Sequence, residues 1–470
     1  MVKLAAVDYI ALINKVIGYR PTEGQAEAIR RIANFLEKSG TGDTYLLKGY
    51  AGTGKTTIIS ALVRALPETG IKTLLLAPTG RAAKVVSGYS GKQAHTIHRR
   101  IYRTRLLEGG GMAYELAGNS YKNTLLIVDE ASMIAEGNGR FGERNLLKDL
   151  LDYVKSGENC RLLLVGDTAQ LPPVHEDESP ALDIKKLSGF YGLRAGHFEL
   201  TEVVRQEETS GILTNATIIR DAIRNNSNAI RLKTGLSGFE RISSAELGDK
   251  MNEAFGTDTT AAIVITRSNK AAINYNRQIR FGGLWFTEEL DGGDLLMCAK
   301  NNYFWLDASS SLGFIANGDI LKLKSIRSFE ERYGFRFAEV TAMFADYPEH
   351  PAFELKIIMD SLYSEGPALT RDQSNNLYTS LSGQLPEQLS KTARYAALAQ
   401  NEWYNAVQVK FAYAVTCHKA QGGQWDAVFI DAGSLMAEGI DKNYLRWLYT
   451  AITRATKKVY LINFDDGLFE

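Results

Sequence analysis

The 470-residue sequence has no net charge, because 54 lysines and arginines balance 54 aspartates and glutamates. Overall charge therefore gives no argument for a polyanionic partner, which would need a local basic track. Cysteine is scarce. Cys160, Cys298 and Cys417 are far apart and make no metal-ligand spacing, which fits inert thiols in a reducing compartment. No apolar run approaches the roughly 18–20 residues of a membrane span, so no membrane partner is expected. The amino-terminal apolar stretch contains Asp8 and lacks a small-residue cleavage site, so no secretory leader is expected. The expected location is the cytoplasm, with or without the nucleoid, or a host's cytoplasm if the source is viral. No internal repeat or low-complexity segment is present. The chain does have the length for two or three domains and a 45% hydrophobic fraction to fill their cores.

Its most informative stretch is Gly49-Tyr-Ala-Gly-Thr-Gly-Lys-Thr56, a phosphate-loop pattern. The apolar run Thr44 to Lys48 before it reads as a strand. Thr57 to Leu66 after it reads as a helix, with Ile58, Ile59, Leu62, Val63 and Leu66 on one face. In that context the backbone N–H groups of the turn and the helix dipole favour a polyphosphate. Gly52, Thr53, Gly54, Lys55, Thr56 and Thr57 are the predicted nucleotide contacts, with Lys55 on the β- and γ-phosphates and the Thr56 hydroxyl on Mg²⁺. Upstream, Thr22 and Gln25 have capping-box spacing before a helix running through Leu36. Gln25, about 24 residues ahead of the loop, also has the amide donor and acceptor needed to read an adenine edge. Both readings of Gln25 stand.

Three further apolar runs end in polar residues. Lys72 to Ala77 leads into Pro78-Thr-Gly-Arg-Ala-Ala-Lys84, Thr124 to Val128 into Asp129 and Glu130, and Arg161 to Val165 into Gly166, Asp167 and Gln170. Ligands sit at the carboxyl ends of strands in open α/β sheets, so these termini are candidate site positions. Asp129 suits the Mg²⁺ shell and Glu130 suits accepting a proton from, or orienting, the attacking water. Gln170 is placed to contact both a phosphate and water, and Arg205 is a further phosphate candidate. His95-Thr-Ile-His98 precedes Arg99, Arg100, Arg103 and Arg105, the densest basic run in the chain. By itself such a run reads as a solvated face. Leu106 to Leu116, two short apolar arms about a triple glycine, reads as a β-hairpin or inserted loop.

A second α/β unit begins near Thr260. Period-two alternation in 319–324, 337–344 and 353–358 predicts a small antiparallel barrel. Residues 367–403 are polar and helical, with Tyr378, Leu381, Leu385, Leu389 and Tyr395 as apolar anchors, and read as an insertion projecting from the barrel. The chain then returns to strand before Cys417-His-Lys-Ala-Gln-Gly-Gly423, and Trp447 to Arg454 lies on a final helix.

The order of these parts resembles the superfamily 1 helicases of the RecD-like and Dda-like branch, which move 5′ to 3′. Thr22 to Gln25 is similar to the Q motif, Gly49–Thr56 to motif I, Ala77–Lys84 to motif Ia and His95–His98 to motif Ib. Asp129 to Met133 resembles motif II, Gly166–Val174 motif III and Leu200 to Gln206 motif IV. Ala414 to Gly422 is similar to motif V and Tyr449 to Ala455 to motif VI. The matches run in the family's order from residue 22 to 455.

The resemblance implies an α/β fold: two RecA-like P-loop domains, a β-hairpin inserted in the first, and an SH3-like barrel with a helical insertion in the second. Expected bounds are 1–200 for the first domain, with the hairpin at about 101–123, then 201–317 and 406–470 for the second, and 318–405 for the barrel and its helices. ATP with Mg²⁺ would lie in the cleft, with Lys55, Glu130, Gln170, Arg205 and Arg454 catalytic and Arg454 an arginine finger. Single-stranded or forked DNA would cross Pro78, Thr79, His95, Thr96, His98 and Arg99 on one domain and Asn269, Thr416 and His418 on the other. With the resemblance in hand, the basic run reads as a DNA-facing surface. The implied activity is a DNA helicase active as a monomer, with replication or repair proteins as partners. The hairpin would be the strand-splitting element, braced by the helical insertion. Two alternatives remain at this stage: an RNA helicase of the same superfamily, and a DNA-stimulated ATPase that remodels protein–DNA complexes without unwinding.

Overall fold

The computed structural model describes residues 8–106, 112–137, 144–202, 210–306, 312, 314–386, 388–433 and 439–470. The first domain opens with α1 (Tyr9–Ile17) and α2 (Glu23–Lys38), then β1 (Thr44–Gly49), α3 (Lys55–Ala65), β2 (Lys72–Ala77), α4 (Gly80–Ser90), β3 (Ala94–Thr96) and α5 (Ile97–Ile101). The hairpin β4 (Tyr102–Leu106) and β5 (Met112–Leu116) follows, then β6 (Thr124–Val128), α6 (Leu146–Lys155), β7 (Arg161–Gly166) and β8 (Ala195–Leu200). Six of these strands form a parallel sheet in the order β3-β2-β6-β7-β1-β8. Their near-continuous apolar runs are what a parallel sheet covered on both faces demands. One core lies under α1, α2, α3 and α4, and another under α5 and α6.

This strand order positions the site. β7 lies between β6 and β1, so the segments after those three strands emerge side by side: Asp129 and Glu130, Asp167 to Gln170, and the phosphate loop. On the far side β2 neighbours β3, which places Pro78 and Thr79 beside His95 and Thr96.

The second domain comprises α7 (Gly211–Arg224), β9 (Phe239–Arg241), α8 (Ser244–Thr257), β10 (Ala262–Thr266) and α9 (Asn269–Gln278) before the barrel. The barrel strands are β11 (Leu295–Cys298), β12 (Ile320–Arg332), β13 (Phe335–Phe344), β14 (Phe353–Ile358) and, after helices α10 (Arg371–Ser382) and α11 (Lys391–Ala399), β15 (Val407–Phe411). The domain resumes with β16 (Ala414–Thr416), α12 (Cys417–Ala420), β17 (Trp425–Asp431), α13 (Lys442–Ile452) and β18 (Ala455–Ile462). Its parallel sheet runs β16-β10-β17-β18-β9. The architecture is two RecA-like domains with a closed five-stranded β-barrel inserted in the second.

Two features differ from the sequence reading. The barrel is closed by β11 pairing with both β12 and β15, so its strands span 295–411 rather than the expected 318–405. A four-residue buried run such as Leu295 to Cys298 carries no period to assign it to either unit. The helical insertion, expected to brace the hairpin, also packs onto the barrel. Leu377, Leu381, Leu398 and Trp403 pack with Phe335 and Phe337 of the barrel. The hairpin is anchored elsewhere: the Tyr102 hydroxyl donates to Asp149 Oδ2 of α6 at 2.7 Å, and Arg144 pairs with the same carboxylate at 2.6 Å. The hairpin and its expected brace thus each bury apolar side chains on a different neighbour.

Candidate functional site

The phosphate loop leaves β1 and turns into α3 through Gly52 and Gly54, both left-handed at φ 74° and 88°. The φ of 88° favours glycine at the second position, and a Cβ there would also lie 2.1 Å from Gln25 Nε2. Gly54 is also the N-cap of α3 and offers no side-chain acceptor, so the helix's first N–H groups stay open to an anion. The Lys55 ammonium donates to the carbonyls of Gly49 and Tyr50, each at 2.7 Å, which keeps it over the loop. Thr56 and Thr57 follow on the first turn, with Thr56 exposed to the cleft.

Gln25 makes the helix cap that the sequence pattern predicts and also touches the phosphate loop. Its Oε1 accepts from Thr22 N and its own N–H donates to Thr22 Oγ1, completing a capping box. Its Nε2 meanwhile reaches Thr53 O of the phosphate loop at 3.4 Å. The side chain is buried between helix and loop.

The carboxylates after β6 form a charged pair inside the cleft. Burial, and then Glu130, lift the Asp129 carboxyl to about 6, and Tyr89 of α4 donates to its Oδ2 at 2.7 Å. Two adjacent, partly buried carboxylates with the Thr56 hydroxyl in the same cleft are a donor set suited to Mg²⁺, whose charge would favour the ionised form. Glu130 holds φ 51°, an uncommon value for a residue with a side chain.

The opposite wall comes from the second domain. Arg454, only 4% exposed, directs Nη1 at Glu130 Oε1 at 3.3 Å and donates through Nε to Thr450 O. The amide orientation of Gln170 that satisfies both neighbours puts its nitrogen 3.2 Å from Glu130 Oε2 and its oxygen 3.0 Å from Arg454 Nη2. Lys55, Thr56, Asp129, Glu130, Gln170 and Arg454 line one cleft of about 940 Å³. Arg205 lies outside the described residues.

The segment after β7 is clasped from the same side. Leu171 N donates to Thr450 Oγ1 at 2.8 Å, and Leu171 O accepts from Gln421 Nε2 at 2.8 Å. Tyr449 of α13 accepts from Ala51 N in the phosphate loop at 2.9 Å and donates to Asp167 Oδ2 at 2.6 Å. Arg220 of α7 lies 4.8 Å from the Tyr50 ring centre. The sequence reading assigns no role to Tyr89, Arg220 or Tyr449, and names Asp167 only as a strand-end candidate. Asp167 and Tyr449 sit inside recognised motif stretches, whereas nothing in the sequence marks a tyrosine on α4 or an arginine on α7.

The predicted nucleic-acid contacts fall into two groups. In the first domain, Pro78 and Thr79 follow β2, and His95 and Thr96 belong to β3. Thr79 and Thr96 cap α4 and α5 by accepting from Ala82 N and Arg99 N. Burial holds the His95 and His98 rings below the usual imidazole range, with Arg100 and Arg99 adding to the effect at His95. In the second domain, Thr266 and Thr416 are register partners at the ends of β10 and β16, Thr416 and His418 line one pocket with Thr266 and Arg267, and Asn269 opens α9.

Arg99 departs from its expected place. Its guanidinium pairs with Asp319 Oδ2 of the barrel at 3.2 Å, donates to Phe314 O, and lies 4.8 Å from the Phe314 ring centre. Asp319 is 2% exposed and would be an uncompensated buried charge without it. Arg100 faces the Tyr121 ring, and Arg103 pairs with Glu115 across the hairpin at 3.4 Å. Arg99 and Arg100 are thus turned onto the protein, while Arg103 stays mostly exposed.

The fold and cleft together define a P-loop ATPase built from two RecA-like domains. A family model described as an AAA domain matches residues 20–233, and one described as a UvrD-like helicase C-terminal domain matches 411–462. The chain is related to helicases of the Dda, RecD2 and Pif1 types. It is 25% identical to the ATP-dependent DNA helicase dda of Enterobacteria phage T4 over 94% of this chain and 99% of that protein. It is 26% identical to the ATP-dependent RecD2 DNA helicase of Deinococcus radiodurans over 91% of this chain but only 48% of that protein. A solved Pif1 helicase structure concerned with unwinding at forked duplex DNA superposes with a TM-score of 0.49 at 16% identity, covering 96% of this chain and 94% of that one. No described helix is long and apolar enough to cross a membrane.

Proposed function

We propose that the protein is an ATP-driven DNA helicase that moves 5′ to 3′ on a single strand by opening and closing the cleft between its two RecA-like domains. The observation that carries this reading is Arg454, delivered by one domain onto Glu130 and Gln170 of the other. In this account Lys55, the open N-terminus of α3 and the loop N–H groups hold the polyphosphate. Thr56 and Asp129 would hold Mg²⁺, which would supply positive charge against the phosphates. Glu130 takes the proton of the attacking water, and Gln170 orients that water beside the phosphate. Arg454 releases Glu130 to stabilise charge on the transferred phosphoryl group. Arg205 is retained as a further phosphate contact.

Cleft closure becomes movement because each domain also has a strand-end group for the nucleic acid: Pro78, Thr79, His95, Thr96 and His98 on one, and Asn269, Thr416 and His418 on the other. Neutral imidazoles and threonine hydroxyls suit hydrogen bonding to a backbone without a large uniform charge, which fits the neutral chain. Arg99 is better assigned to holding the barrel against the first domain. The T4 dda protein, whose printed name is ATP-dependent DNA helicase, aligns with 94% of this chain and supports the reading. The hairpin Tyr102–Leu116 is the proposed strand separator, carried on α5 directly beside His98.

The experiment is ATP turnover with no polymer, with single-stranded DNA and with single-stranded RNA, followed by unwinding of forked duplexes carrying a 5′ or a 3′ tail. DNA-stimulated turnover with unwinding of the 5′-tailed fork is expected. Stimulation by RNA alone, or stimulation by DNA without unwinding, would replace the proposal by one of the two alternatives.

A further inference from the structure

The phosphate-loop peptide between Tyr50 and Ala51 is held at both ends. Its carbonyl accepts from Lys55 Nζ at 2.7 Å and also from Thr53 Oγ1 at 2.8 Å. Its N–H donates to the Tyr449 hydroxyl at 2.9 Å. A tyrosine hydroxyl has a single proton, and here that proton goes to Asp167 Oδ2 at 2.6 Å, which leaves the oxygen lone pairs facing Ala51 N. Asp167 is itself fixed, because its Oδ1 accepts from Ala169 N at 2.9 Å. Tyr449 and Asp167 are each about 1% exposed, so solvent does not compete for these bonds. Tyr449 lies on α13, from the second domain, one turn before Arg454, while the peptide it holds belongs to the first.

We propose that Tyr449, oriented by Asp167, is a positioning residue for ATP hydrolysis. It fixes the Tyr50–Ala51 peptide beside Lys55 only while the second domain is closed on the first. The inference rests on the cleft hydrolysing ATP. It adds that closure shapes the phosphate loop itself as well as delivering the finger. A phosphate that draws Lys55 away removes one of the peptide's carbonyl partners, and Tyr449 then becomes the interdomain restraint on its other end. Arg220 on the Tyr50 ring, also from the second domain, supports the same segment.

Tyr449→Phe removes only the hydroxyl. We expect turnover at saturating ATP to fall about tenfold, the worth of one well-placed buried hydrogen bond, while KM changes much less and the melting temperature stays near that of the wild type. Combining Tyr449→Phe with Arg454→Ala should cost no more than Arg454→Ala alone, because both act through the closed cleft. Asp167→Asn, which keeps an oxygen able to accept from Tyr449, should retain more turnover than Asp167→Ala, and this pair decides the matter if Tyr449→Phe folds poorly. Normal turnover in Tyr449→Phe beside a crippled Arg454→Ala would overturn the positioning role and leave the hydrolytic reading intact. Normal turnover in both would overturn the two together. A melting temperature that drops while turnover per folded molecule holds would make Tyr449 purely structural.

Discussion

The two RecA-like domains use the same strand-turn-helix device to opposite effect. In the first, β1 passes through Gly52 and Gly54 into α3, whose N-cap has no side chain to bond the helix. In the second, β10 passes through Arg267 and Ser268 into α9, where the Ser268 hydroxyl accepts from Ala271 N at 3.1 Å. A helix capped by its own serine has less to offer an anion, whereas one capped by glycine leaves N–H groups for a phosphate. One sheet therefore carries the nucleotide cradle. The other, lacking it, supplies Arg454 and Tyr449 to complete the same cleft. The asymmetry teaches that only one RecA-like domain need bind the phosphates if the second is placed to sense them.

The sharpest way to break the comparison is at the carboxylate between the domains. Glu130→Gln should retain nucleotide binding and lose turnover by roughly 10²–10⁴, the range for removing a general base. Binding by dye-labelled nucleotide and turnover by phosphate release check the two separately. Next comes the uncapped helix. Gly54→Ala adds a Cβ at φ 88° that meets Gln25 Nε2 at 2.1 Å, so nucleotide affinity should fall by at least about tenfold, a cost of the size expected for such backbone strain. Isothermal titration would show it.

The converse change in the second domain should be milder. Ser268→Ala removes a cap worth about 0.5–2 kcal/mol of stability and should leave nucleotide affinity unchanged, as thermal unfolding and titration together would reveal. If Ser268→Ala altered affinity, the second domain would be doing more than closing.

The smallest expected effect concerns the barrel contact. Burial lifts the Asp319 carboxyl to about 6 despite Arg99 beside it. Between about pH 4 and 6 the folded chain holds a proton there that the unfolded chain has released. This group's contribution to stability therefore falls as pH rises through that window and is flat above it. Asp319→Asn should remove this component, so the wild-type-minus-variant difference in melting temperature should be smaller at pH 7 than at pH 5. An identical difference at both values would contradict it.

Legibility in the sequence followed the distance over which each contact is made. The phosphate loop, the Thr22 and Gln25 cap and the strand-end carboxylates are local patterns, and their elements stand within a few residues of where the pattern put them. The link from Tyr449 to Ala51 spans 398 residues, and no local property of either residue announces it. Arg99 was read as one of a basic run because its partner, Asp319, lies 220 positions away on the barrel. The strand Leu295–Cys298 has no place in the sequence reading, because its membership of the barrel is set only by its pairing with β12 and β15.

The most direct test of the account is Arg454→Ala, with nucleotide affinity and turnover at saturating ATP measured separately in the presence of single-stranded DNA. If the second domain completes the active site of the first, affinity should stay within a few-fold of wild type while turnover falls by roughly 10³–10⁵, the range for an arginine finger. Collapsed affinity with normal turnover at saturation would make Arg454 a ground-state ligand and would contradict the division of labour between the two domains.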